Sequence, residues 1–163
     1  MMSIPKLSLE RCWHLPENLT NNWLRNSSAP QALIDKLCRE CPFPIPSGLL
    51  ALWAYSNGGE SGHLDLPPGT FILDRVEEAI VSLTRDFECT EFPGLFFFSG
   101  NGGLERLALD YRASASPLVV MVDPIAGIES VEVIANSVEE LFSAVCAYPE
   151  DHDEPSSSDG YSC

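Results

Sequence analysis

The stretch Leu95-Phe-Phe-Phe-Ser-Gly-Asn-Gly-Gly-Leu-Glu-Arg-Leu-Ala-Leu-Asp-Tyr111 decides the fold class. Its first four residues are continuously apolar, the pattern of a strand covered on both faces. Ser99 to Gly103 then supplies residues that tolerate positive φ, as a hairpin loop requires. Leu107, Leu109 and Tyr111 alternate with Arg106, Ala108 and Asp110, the period of a half-buried strand.

Downstream the pattern stays strand-like. Leu118 to Val122 is a second apolar strand, turned by Asp123-Pro124 and Gly127. Val131 and Val133 alternate with Ser130 and Glu132 in a last strand. Ser137 and Glu140 open a closing helix with Val138, Leu141, Phe142 and Val145 on one face.

Upstream the pattern is mostly helical. Asp74 and Glu77 form a D-x-x-E start to a helix whose face is Val76, Ile80, Leu83 and Phe87, after a short strand over Thr70 to Leu73. Glu60 to Gly69 reads as loop. A helix spans Ser47 to Ser56 with Leu49, Leu50, Leu52 and Trp53 apolar, and Asn57-Gly58-Gly59 ends it. Ser28, Pro30 and Gln31 give an S-x-x-Q start to a further helix carrying Leu33, Ile34 and Leu37, which Pro42 stops. The run from Cys41 to Pro46 is rigid and extended, because each proline restrains itself and its predecessor.

Helices, then hairpin-linked strands, then a helix is the order of an α+β fold, with about five or six strands in a mixed or antiparallel sheet flanked by helices. Residues 1–29 read as an N-terminal arm of extended chain or short helical turns packed by Trp13 and Trp23. Residues 30–148 form the domain. Residues 149–163 carry charge and small polar residues without an apolar face, the composition of an acidic disordered tail.

The chain has 163 residues, of which 45% are apolar and 20% charged, enough for one core. Nine basic residues against 24 acidic ones leave a net charge of −15. Residues 1–41 are nearly balanced, with five basic and four acidic residues; residues 42–163 hold four arginines and twenty acids. Such a charge repels phosphate backbones and anionic membranes, excluding direct nucleic-acid binding by a basic face, and it steers towards basic partners. The most apolar stretch, Gly48 to Tyr55, is far below the ~20 residues that span a bilayer. The first fifteen residues lack the apolar core of a signal peptide, and the six cysteines are scattered, so a cytoplasmic protein is expected.

No motif for hydrolytic or transfer chemistry occurs: neither G-x-S-x-G, nor H-E-x-x-H, nor a phosphate-binding loop with its lysine. The expectation is a chain that is not an enzyme and holds no cofactor. Cys38-Arg-Glu-Cys41 has the spacing of two zinc thiolates, and Cys12 and His14 could complete four ligands. Structural, reduced thiols are the simpler account, since no second C-x-x-C or H-x₃-H accompanies the pair.

Three segments resemble the SUKH superfamily: Ile45-Pro-Ser-Gly-Leu-Leu-Ala-Leu-Trp-Ala-Tyr-Ser-Asn-Gly-Gly59, Phe92-Pro-Gly-Leu-Phe-Phe-Phe-Ser-Gly-Asn-Gly-Gly103 with Leu107-Ala-Leu-Asp110, and the closing Ser137 to Phe142. The likeness covers about residues 30–147. It departs from the family at Ile45, where leucine is commoner, and in the arm and tail. It implies an α+β sheet flanked by helices. It also implies either an immunity protein that binds and neutralises a cognate bacterial toxin, such as a nuclease or deaminase, or a non-catalytic regulatory scaffold.

The expected function is therefore a cytoplasmic immunity protein that occludes a basic toxin's cleft. The candidate partner-binding acids are Glu60, Asp65, Asp74, Glu77, Glu78, Glu88 and Glu91. Asn57, Gly58, Gly59 and Asp110 read as fold residues, and no residue is assigned to a metal.

Overall fold

A computed structural model describes residues 14–85 and 90–148. In chain order the elements are α1 (Glu17–Thr20), β1 (Trp23–Leu24), α2 (Gln31–Glu40), α3 (Ser47–Tyr55), β2 (Gly59–Ser61), β3 (His63–Leu64), β4 (Ile72–Leu73) and α4 (Val76–Ser82). There follow β5 (Leu95–Gly100), β6 (Arg106–Asp110), β7 (Leu118–Val122), a 3₁₀ turn (Ile128–Ser130), β8 (Glu132–Ala135), α5 (Val138–Ser143) and β9 (Val145–Cys146). The fold is α+β. Among the described residues seven strands form one antiparallel sheet in the order β1-β2-β4-β5-β6-β7-β8, and β3 pairs with β9 in a second small one.

Register sorts the side chains, because residues opposite each other in an antiparallel pair share a face. Phe96, Leu109, Val119 and Ala135 form one row across β5 to β8. They join Ile34 and Leu37 of α2, Leu49, Leu52 and Trp53 of α3, Val76 and Ala79 of α4, and Val138, Leu141 and Phe142 of α5 in one core. Phe71 sits at its centre, fully buried, stacked on Phe142 and edge-on to Trp23 and Phe98. On the other face Phe97, Ala108 and Val120 form a row that packs with Phe92, Leu95 and Val122 in a separate buried cluster. The central strands are thus covered on both sides. Ala108, which alternation places outwards, is buried.

Residues 17–24 are integral to the domain: α1 buries Leu19, and β1 buries Trp23 while forming one edge of the large sheet. Trp13 and the acidic tail lie outside the described residues, as do Cys12 and Phe87. Two helix starts differ from expectation. At α2, Pro30 holds the cap position, Ser28 Oγ accepts a bond from Arg25 Nη2 (3.4 Å), and the Gln31 amide donates to Asp35 (3.0 Å). At α4, Asp74 turns its carboxylate to Arg106, so the helix starts one residue later. The segment 60–69 is not all loop, since Gly59–Ser61 pairs with β1 and β4. In β8 a register shift sets Ala135 opposite Val119 and Val133 opposite Val120, so Val133 falls at the edge of the outer face and is half exposed.

Candidate functional site

Three of the seven acids expected to meet a partner, Asp74, Glu77 and Glu78, lie at the start of α4. The Asn57-Gly58-Gly59 turn places them there. Gly58 and Gly59 adopt φ of +94° and +104°, which turns the chain straight from α3 into β2. The turn points the Asn57 side chain at the next helix. Asn57 Oδ1 accepts from the Val76 backbone N–H (2.8 Å), and Asn57 Nδ2 donates to Glu77 Oε1 (3.0 Å). Glu78 Oε1 accepts from the Arg75 backbone N–H (2.8 Å). These bonds satisfy helix-terminal donors that have no partner within the helix. The bond from Asn57 also holds the Glu77 carboxyl below the usual carboxylate range, with its own backbone N–H helping.

Asp74 is more deeply engaged. Its carboxylate receives two bonds from Arg106, Nη1 to Oδ1 at 3.1 Å and Nη2 to Oδ2 at 2.8 Å. Its backbone carbonyl accepts the buried Trp53 indole N–H (2.8 Å), and its backbone N–H donates to the Phe98 carbonyl (2.9 Å). Asp74 therefore ties α3, α4 and the sheet together and has little freedom to turn towards a partner. Arg106 in turn lies 5.6 Å over the Phe97 ring, the spacing of a cation–π contact. A cleft of about 330 Å³ opens here between α4 and the sheet, lined by Asp74, Glu78, Ser82, Arg85, Phe97 and Arg106.

The other candidates lie apart or only partly near. Glu60 is half-buried in the middle of β2, opposite Leu24 on one side and Ile72 on the other, on the face away from the helices. Asp65 is exposed beyond β3, where its backbone N–H donates to Ala144 O (2.8 Å). Glu91 is exposed just before β5. Glu88 lies outside the described residues. Among the described candidates, Asp74, Glu77 and Glu78 are thus brought together at α4, whereas Glu60 sits apart on β2 and Asp65 follows β3 of the small sheet. Arg106 and Arg85 were not singled out from sequence. Their place in the cleft depends on pairing between β5 and β6 and on the end of α4, neither of which marks an arginine in the chain.

No protein-family model and no curated protein matches the sequence. The chemistry of the site therefore rests on its own residues. Its charged and hydrogen-bonding groups can recognise charged side chains. Among the described residues no three His, Cys, Asp or Glu side chains are placed to hold a metal ion. Cys38 is exposed and Cys41 buried, and burial pushes both thiols up in pKa, away from the thiolate that zinc or redox chemistry uses. Asp110, expected to be a fold residue, accepts the Arg112 guanidinium through Nε (2.9 Å) and Nη2 (2.8 Å) as well as the Arg112 backbone N–H. Among the described residues no helix is long and apolar enough to cross a membrane.

Proposed function

We propose that this chain is a non-catalytic, cytoplasmic protein-binding module of SUKH type that serves as an immunity protein. It binds a cognate basic toxin, a nuclease or a deaminase, and occludes its active cleft. The observation that carries this is the uncompensated acidity of residues 42–163. Against twenty acids that region has four arginines, and two of these, Arg106 and Arg112, are already spent in bidentate ion pairs with Asp74 and Asp110. The remaining carboxylates resemble in charge the phosphates that such a toxin binds, and they accelerate encounter by electrostatic steering. The α+β architecture and the likeness of residues 30–147 to SUKH sequences support the same function.

The test is capture of a partner by the tagged protein from its native cells, followed by expression of that partner with and without this chain. A single stoichiometric partner, toxic alone and harmless beside this protein, is the expected result. Its affinity should be nanomolar or better, about −12 kcal/mol. Reversing Glu60, Asp65 and Glu91 together to lysine should slow association at least about tenfold at low salt and flatten its salt dependence. Several housekeeping partners and no toxicity would replace this function with that of a regulatory scaffold.

A further inference from the structure

The two edges of the large sheet differ in a way that suggests where a partner attaches. One edge is β1, only two residues long, followed at once by Arg25. The other is β8, which pairs only with β7 among the described residues, so one row of its backbone groups faces outwards. Exposed edges of this kind are usually protected by lysine, proline or a covering segment. Here residues 113–148 include five Asp and Glu, two of them (Glu132 and, in the turn before it, Glu129) at the edge itself, and no Lys or Arg at all. The register shift falls at Ile134, after Glu132 and Val133, which pair in unbroken register with Met121 and Val120. Val131, with φ −63° and ψ 127°, and the two residues after it continue as regular extended chain.

We propose that β8 is a docking edge that takes an extended, basic segment of the partner protein as an eighth strand. The side chains of the edge alternate in the required sense. Val133 lies on the outer face and is 51% exposed, whereas Glu132 lies on the other face and is exposed, with Glu129 nearby in the preceding turn. A segment in which apolar and basic residues alternate meets Val133 with the first kind and Glu132 with the second. Backbone hydrogen bonds supply affinity and the alternating contacts supply register. A second copy of this chain fits less well. Pairing β8 with itself brings the Glu129 and Glu132 carboxylates of two strongly acidic chains together, which like-charge repulsion opposes.

This inference rests on the proposed binding of a basic partner, but its test is separate. The probe is an end-capped peptide of twelve residues alternating lysine and valine, added to the full-length ¹⁵N-labelled chain at low salt. Amide exchange should slow at least about tenfold at Val131 to Ala135 and little elsewhere. Two further peptides, one methylated on every valine backbone nitrogen and one on every lysine backbone nitrogen, keep the charge and each lose one of the two rows of donors, only one of which can face β8. One of the two should bind at least about tenfold more weakly than the unmodified peptide, and so should the unmodified peptide to a Glu132→Lys chain. Equal binding of all three peptides, or protection away from β8, overturns the proposal. Protection of β8 that grows with protein concentration in the absence of peptide overturns it in favour of a second copy. A captured toxin whose complex leaves the β8 amides exchanging freely would overturn the docking edge and leave neutralisation standing. Protection of β8 by the peptide without any toxic partner would do the reverse.

Discussion

At Gly59 three atoms converge on the place a β-carbon would occupy: Leu24 O at 2.6 Å, Trp23 Nε1 at 2.7 Å and Ser56 Oγ at 2.9 Å. Gly127 has a similar positive φ, +93°, but nothing lies within 4 Å of the same position. The pair separates backbone strain from steric exclusion. Gly127→Ala should cost about 1–3 kcal/mol, because φ +93° with ψ −169° is a backbone region essentially confined to glycine. Gly59→Ala adds displacement of the Leu24 backbone carbonyl and of the buried Trp23 and Ser56 side chains, and should cost about 3–4 kcal/mol, measured by denaturant unfolding. Equal costs would mean that β1 shifts freely. Asp110 gives a prediction in pH. Its carboxyl is held down in the folded state chiefly by the Arg112 side chain. A depressed carboxyl contributes stability that is present above its unfolded pKa of about 3.9 and is lost as pH falls through the lower folded value. Asp110→Asn should therefore lower Tm at pH 7, and the gap from the parent should shrink below about pH 4. A gap unchanged from pH 7 to pH 3 would assign the loss to packing instead.

The helices show which bonds hold an element in place, and which of them a sequence can disclose. Ser137 Oγ accepts from the Glu140 N–H (3.1 Å), and Glu140 reaches back to the Asn136 N–H (2.7 Å), so α5 opens as its local sequence says. Ser137→Ala should cost about 1 kcal/mol. The start of α4 depends on Asn57, nineteen residues earlier, and that cap is visible only in three dimensions. Asn57→Ala leaves the Val76 donor without its partner and releases Glu77, and should cost about 1–2 kcal/mol, with the loss seen as fraying of α4 in amide exchange. The same contrast runs through the sheet. Leu118–Val122 is legible because five consecutive residues are apolar, with Val119 buried on one face of the sheet and Val120 and Val122 on the other. Trp23–Leu24, Gly59–Ser61 and Val145–Cys146 are too short to carry a period, and only their distant partners make them strands. The acids of the site were legible as charge but not as geometry. Nothing within the chain near Asp74 announces that its carboxylate belongs to Arg106, thirty-two residues away.

For the whole molecule the deciding quantity is the balance between net charge and ion pairs. A chain at −15 repels itself when compact, and the repulsion weakens as salt shortens the screening length from about 30 Å at 0.01 M to about 10 Å at 0.1 M. Ion pairs respond in the opposite direction, because screening also weakens attraction. The pairs of Arg106 with Asp74 and of Arg112 with Asp110 are short, hydrogen-bonded contacts, and salt acts on them less than on carboxylates spread over the surface. Repulsion should therefore dominate the salt response. Raising sodium chloride from about 0.01 M to about 0.3 M should raise Tm by a few degrees, corresponding to about 0.5–1 kcal/mol for a domain of this size. The triple reversal of Glu60, Asp65 and Glu91 removes six units of negative charge and should flatten that rise while leaving the core unchanged. A Tm that falls with salt would mean that attraction among the surface charges outweighs their repulsion. The acidic surface would then be tied up within the fold, and electrostatic steering of a basic partner would lose its physical basis.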